Sequence, residues 1–181
     1  MSPRALITGG AGFIGSHVAD TFLAAGYDVT IVDDFSSGKE HNVASGVTVV
    51  RDSITSPATA ELIRGGRFDV ISHLAAQIDV RKSVDDPAWD AAQNIGGSLN
   101  LLEAVRKSGH KTRFIFSSSG GAQYGDFVDL PTGETSAKDP SSPYGIAKLC
   151  VEYYMSYYAR IHGLDTVALR YANVYGPRQD P

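Results

Sequence analysis

Short apolar runs bounded by turn residues alternate along this chain with longer stretches whose apolar positions recur at helical spacing. Arg4–Thr8, Asp28–Asp33, Val47–Arg51, Phe68–Leu74, Arg113–Ser117 and Thr166–Arg170 read as strands. Between them, Phe13–Ala25, Ala58–Arg64, Pro87–Lys107 and Tyr144–His162 read as helices. Parallel strands need crossover connections, so the alternation predicts an α/β fold, a doubly wound parallel sheet with helices on both faces. Val70-Ile71 and Phe114-Ile115-Phe116 are continuously apolar, as strands covered on both sides require. Gly120–Pro143, rich in Gly, Pro, Ser and Thr, reads as one long loop over the open edge of the sheet. With no repeat or linker in the pattern, residues 1–181 read as a single domain.

One helix breaks the expected economy. From Tyr144 onward, Leu149, Val151, Tyr153, Tyr154, Tyr157, Tyr158 and Ile161 cover more than one stripe, whereas a helix lying on a sheet needs one. Either a second partner covers the extra face, or the helix lies deep inside the domain.

Composition narrows the function classes. The formal charge is −4, which offers no electrostatic footprint for nucleic acid or an anionic membrane. No apolar run approaches the ~20 residues of a membrane span, and Ala5–Thr8 is too short for a signal-peptide core. Cys150 is the only cysteine, which excludes an internal disulfide and fits a reducing compartment; its flanks Leu149 and Val151 place it in the core. His17, His41, His73, His110 and His162 lack metal-ligand spacing, so no metal site is expected. The expectation is a soluble, cytoplasmic protein.

Two motifs carry chemistry. Gly9-Gly10-Ala11-Gly12-Phe13-Ile14-Gly15 follows the apolar run Ala5-Leu6-Ile7. A glycine turn there brings backbone close to a pyrophosphate and aims the N–H groups of a helix N-terminus at it. Tyr144-Gly145-Ile146-Ala147-Lys148 opens a helix and sets Tyr and Lys on one face, where an ammonium stabilises a nearby phenolate. Each has a plain alternative: a tight turn for the first, a packed Tyr beside a solvated Lys for the second. Their pairing, in the order one cofactor needs, points to redox chemistry on a hydroxyl.

The Gly-x-x-Gly-x-x-Gly spacing of Gly9, Gly12 and Gly15, with Asp33 ending the second strand, resembles the extended short-chain dehydrogenase/reductase superfamily and its NAD-dependent epimerase/dehydratase family. The resemblance implies a Rossmann-type domain binding NAD. Phe13 and Ile14 lie in the phosphate turn, and Asp33 accepts the adenosine ribose hydroxyls. A carboxylate there repels a 2′-phosphate, and Asp34-Phe35-Ser36-Ser37-Gly38 contains no Arg, so NAD is expected over NADP. Asp34, Ser37 and Gly38 line the same end. Asp52 matches the acid at the adenine, with Ser53 in place of the family's usual apolar neighbour. Leu74, Ala75, Ala76 and Gln77 resemble the segment lying against the cofactor, and Ser117 and Tyr171 flank the nicotinamide.

Within that family Tyr144 is implied as the base and Lys148 as the group that holds the nicotinamide ribose and lowers the Tyr pKa from ~10. Ser119 is implied as the hydroxyl at the reacting oxygen. Ser118 competes with it, because Gly120-Gly121-Ala122-Gln123 is one residue longer than the common spacing. Dehydratases carry an Asp-Glu pair after that hydroxyl for eliminating water. Its absence here resembles the branch that oxidises and re-reduces C4 of a UDP-hexose. Substrate contacts are implied for Ser119, Tyr144, Asn173 and Ser83, the last equally readable as a helix cap. Asn94 is either a proton-relay element or a satisfied polar group. The family pairs the helices at 87–107 and 144–162 into a homodimer.

Family members continue past the Gly-Pro-Arg motif into a smaller domain that grips the nucleotide, so this chain is expected to be a fragment or naturally short. Decarboxylation, dehydration or reduction of a nucleotide sugar, and a non-catalytic NAD-binding module, remain the alternatives.

Overall fold

Six strands form one sheet: β1 (Arg4–Thr8), β2 (Asp28–Asp33), β3 (Thr48–Arg51), β4 (Val70–His73), β5 (Arg113–Ser119) and β6 (Asp165–Tyr171). The computed structural model describes residues 2–126 and 128–180. The strand order is β3-β2-β1-β4-β5-β6 and every pairing is parallel. Chain direction across the sheet reverses between β1 and β4. The loops leaving those two strands therefore diverge and open a crevice at their carboxyl ends.

The helices are α1 (Phe13–Ala24), α2 (Pro57–Gly66), α3 (Val80–Asp85), α4 (Pro87–Ala91), α5 (Gly97–Ser108), α6 (Gly120–Gln123) and α7 (Pro143–His162). Alternation along the strands divides the core. Leu6, Ile71, Phe114 and Phe116 pack with Ile63, Leu101, Leu102, Val105, Val151 and Met155 from α2, α5 and α7. Ala5, Ile7, Val29 and Ile31 pack on the other side with Ala19 of α1.

Several expectations change. The helix read at 87–107 is two α-helices joined by a π-helical turn, Ala92–Gly96, which carries the buried Asn94. Single π turns arise where an extra residue is accommodated, often near a site. Helix α3 was not expected. It has six residues, too few for a periodic signal, and the Asp79 side chain accepts hydrogen bonds from the Arg81 and Lys82 amides at its start. The long loop contains α6, capped by Ser119.

Deep burial does not explain the apolar girth of α7. Ala147, Val151, Met155 and Tyr158 are buried against the sheet, whereas Ile146, Tyr153, Tyr154, Tyr157 and Ile161 are exposed, Tyr153 at 67%. Cys150 is half-buried rather than in the core. Among the described residues, no helix is long and apolar enough to cross a membrane.

Candidate functional site

The crevice between β1 and β4 is floored by glycine because backbone packs directly against backbone there. Gly9 sits at φ +71, and a Cβ on it would lie 2.7 Å from the Ala75 amide nitrogen. A Cβ on Gly15 would collide with the Gly9 carbonyl. Gly12 is the N-cap of α1, and no side chain satisfies the helix's first N–H groups. Gly9, Gly12, Phe13, Ile14 and Gly15 line one cleft with Leu74, Ala75, Ala76, Ser117, Ser119, Tyr144, Lys148, Tyr171 and Asn173. A second hollow continues it, sharing Asp33, Ser37, Ala75 and Ala76 and adding Asp34, Asp52, Ser53 and Gln77. The result is one elongated trough with a peptide-lined middle, the shape an extended dinucleotide fits. Among the described residues there is no His/Cys/Asp/Glu group suited to a metal.

At one end, Asp33 holds the turn as well as facing the trough. Its Oδ2 accepts from the Ala11 amide at 2.9 Å and its Oδ1 from the Phe35 amide at 2.8 Å. Gly38 packs behind this carboxylate, where a Cβ would come within 2.7 Å of Oδ1. Burial works to raise the Asp52 carboxyl, but hydrogen bonds from Ser56, Thr59 and Ser53 outweigh it and hold the group below its ordinary range.

At the other end stand Ser119, Tyr144 and Lys148. Lys148 is buried, and its Nζ donates to the Ser117 carbonyl at 2.9 Å while lying 5.6 Å from the Tyr144 ring centroid. Burial pushes this ammonium down to about 8, against the pull of the Asp90 carboxylate. Tyr144 departs from expectation. Burial first, then the Asp90 charge, push its phenol up to about 12 rather than down.

Ser118 and Ser119 differ in their surroundings. Ser118 Oγ donates to Glu152 Oε1 at 2.6 Å, inside a cluster where Arg170 forks onto the same carboxylate at 2.6 and 3.0 Å. Among the described residues Ser119 Oγ accepts only the Ala122 amide, at 3.2 Å, which leaves its O–H to donate into the trough.

Comparison with known proteins bears on this geometry. The model of the NAD dependent epimerase/dehydratase family matches residues 5–181. The chain belongs to that family. A putative UDP-glucose 4-epimerase of Methanocaldococcus jannaschii is 43% identical over 97% of this chain and 57% of its own length. The crystal structure of the Thermotoga maritima UDP-glucose 4-epimerase with UDP-glucose superposes with a TM-score of 0.94 at 51% identity, covering 98% of this chain and 58% of that one. The Thermus thermophilus UDP-glucose 4-epimerase in complex with NAD gives 0.90 at 44%, again covering 98% and 58%. The chain thus spans a little under three-fifths of the length of these relatives.

In this epimerase/dehydratase-family chain the expected cofactor residues other than Gly38 lie on the trough walls, and Gly38 supports Asp33 from behind. Ser83 does not join them. It is fully buried, donates to the Val80 carbonyl at 2.7 Å and receives the Tyr144 amide at 3.4 Å, so it supports the first turn of α7 rather than a sugar pocket. Asn94 is likewise buried: its Oδ1 accepts the Gln77 amide and its Nδ2 donates to the Gln77 carbonyl, pinning the trough wall.

Sequence reasoning missed the Glu152–Arg170 pair, the Asp90 carboxylate and a strap after β6. In the strap, Arg178 pairs with Asp20 at 2.7 Å and Asp180 with Lys39, folding residues 176–180 back beside the glycine turn. Nothing local marks these residues, since their partners are remote in the chain. His73, which the sequence shows only to lack metal-ligand spacing, is fixed by two buried hydrogen bonds. Its tautomer follows from its neighbours: Ser98 Oγ gives its proton to the Asn94 carbonyl and so accepts from His73 Nε2. Nδ1 then accepts from Thr8 Oγ1. Burial, with Lys148 nearby, pushes the imidazole down to about 3, so it stays neutral.

Proposed function

We propose that this chain carries the NAD-binding and proton-transfer part of a UDP-hexose 4-epimerase. The observation that carries the reading is that Ser119, Tyr144 and Lys148 line the same trough as the glycine turn, together with Tyr171, the strand neighbour of Ser119, and Asn173. Gly9 and Gly15 leave the backbone bare where a pyrophosphate approaches, and Asp33 presents carboxylate oxygens at the adenosine end. Gly9, Gly12, Gly15 and Asp33 would hold NAD, which would supply a reversible hydride acceptor for the sugar's C4.

The chain's own residues handle the proton. Tyr144, once ionised, accepts the C4 hydroxyl proton and later returns it. The free Ser119 O–H donates to the same oxygen, stabilising negative charge as it develops. Lys148 is held by the Ser117 carbonyl at a fixed place beside Tyr144, a cation that favours the phenolate. The absence of an Asp-Glu pair after Ser119 favours epimerisation over elimination of water.

The exposed stripe Ile146, Tyr153, Tyr157 and Ile161 supports pairing with a second copy of the chain. The single cysteine supports a reducing, cytoplasmic setting. The test is titration of the purified chain with NAD and NADP, together with a UDP-glucose/UDP-galactose interconversion assay on the reading frame extended beyond residue 181. Tight NAD binding and turnover by the longer protein are expected. Failure to bind either dinucleotide overturns the reading.

A further inference from the structure

The four-residue helix α6 bridges Ser119 and the start of α7. It begins at its N-cap Ser119, whose Oγ accepts the Ala122 amide. It lies directly on the first turn of α7, where a Cβ on Gly145 would strike the Ala122 carbonyl. On its other side a Cβ on Gly120 would come within 3.3 Å of the Tyr171 carbonyl. The placement of α6 therefore sets the direction in which Ser119 presents its O–H. Four residues close barely one turn, so a helix this short does not hold its own position.

One ion pair anchors its far end. Gln123, the last residue of α6, is fully buried, and its Nε2 donates to Glu152 Oε1 at 2.7 Å. Tyr124 follows, also buried, and its hydroxyl accepts from Arg170 Nη1 at 2.7 Å. Arg170 forks onto Glu152, with Nη2 at 2.6 Å and Nε at 3.0 Å, and its Nη1 reaches the Glu134 carbonyl at 3.0 Å. The guanidinium thus ties β6, α7, the end of α6 and the segment beyond it to one point. An apolar pair could fill this space, but only direction-specific hydrogen bonds fix Gln123 and Tyr124 in place. Ser118 joins the cluster from β5 through Glu152 and Gln123, yet both ties to α6 stand without it.

We propose that Glu152 and Arg170 are positioning residues, which fix the far end of α6 and through it aim the Ser119 hydroxyl at the reacting oxygen. Neither is among the described residues that line the trough, so they act on the reaction through α6. The inference rests on the reading of Ser119 as the hydroxyl that takes part in proton transfer.

Two measurements test it. In the purified chain, backbone hydrogen exchange at the Ala122 amide reads the Ser119 cap itself. That amide should be protected in the wild type and exchange roughly tenfold faster or more in Arg170→Met, while the amides of β1 keep their protection. In the extended, turnover-competent protein, Arg170→Met should lower kcat by about tenfold or more, with KM and NAD affinity changed less than about threefold. Once Ser119 is already alanine, the same substitution should cost nothing further in kcat. Tyr124→Phe removes one hydroxyl and keeps the ring; should Arg170→Met not fold, it should show the same pattern with a smaller loss. Unchanged Ala122 exchange or unchanged kcat in a folded variant overturns the inference, as do losses from Arg170→Met and Ser119→Ala that simply add. Full turnover by Ser119→Ala alone overturns the reading of Ser119 beneath it.

Discussion

Lys148 donates to the main-chain carbonyl of Ser117 across 2.9 Å, with both groups at the carboxyl edge of the sheet. One turn earlier on α7, Tyr144 faces the same trough. The contact fixes where the positive charge stands, but aims it at β5 instead of the phenol oxygen. Burial, and after it the Asp90 charge, push the phenol itself up to about 12. Phenolate formation is thereby tied to whatever else enters the trough.

Replacing Tyr144 with Phe should keep the ring's packing and remove the proton acceptor. In the extended, turnover-competent protein, interconversion should fall by at least ~10²-fold, the usual worth of a positioned general base. NAD affinity should change less than threefold. Near-normal turnover would make Tyr144 a packing residue.

The two serines should separate cleanly. Ser119→Ala should lower turnover by about 10²-fold with little loss of stability, since only one weak cap contact is removed. Ser118→Ala should cost about 1–2 kcal/mol in urea unfolding, because the half-buried Glu152 carboxylate loses a donor. Turnover should barely change. The reverse pattern would move the catalytic hydroxyl to Ser118.

Asp33→Ala should narrow the preference for NAD over NADP, because the carboxylate that repels a 2′-phosphate is gone. It should also loosen the glycine turn by about 1–2 kcal/mol, since the amides of Ala11 and Phe35 lose their acceptor. Parallel titrations with both cofactors and a urea melt check the two effects. Equal affinity of the unmodified chain for NAD and NADP would remove Asp33 from the specificity argument.

Lys148 makes stability depend on pH in a definite direction. Its folded pKa, about 8, lies below the ordinary 10.5, so between these values the unfolded chain binds more protons than the folded one. Stability contributed at this site should rise as pH climbs from 8 to 10, by on the order of 2 kcal/mol. Urea unfolding of wild type and Lys148→Met across that range isolates the effect. A flat difference between them would mean the ammonium is better solvated than its burial implies.

The tyrosine face of α7 should mediate association. Sedimentation at micromolar concentration should show a dimer, and Tyr153→Glu combined with Ile161→Glu should give a monomer with unchanged NAD binding. A monomeric wild-type chain would leave this face without a second copy as its partner.

The strands β1 and β2 begin and end where the apolar runs do, because a short buried strand between turn residues leaves a complete local signature. The glycine turn, Asp33 and the Tyr144–Lys148 spacing were legible for the same reason: their geometry is set by neighbours a few residues away. Helices α3 and α6 were not, being too short for a period to register. Nor was the π turn, since one extra residue in a helix changes hydrogen bonding without changing the residue pattern.

Adjacent residues of a strand face opposite sides, so the roles of Ser118 and Ser119 turned on what tertiary packing put beside each. Glu152 and Arg170, brought by α7 and β6, claimed Ser118. The charge state of the site lay still further from the sequence. Burial of the ring raises the Tyr144 phenol first and the Asp90 carboxylate second, and both arise only because α7 packs into the fold with α4 against it. Periodicity and turn chemistry are written in neighbours along the chain. Burial and the company of remote charges exist only once the chain has folded.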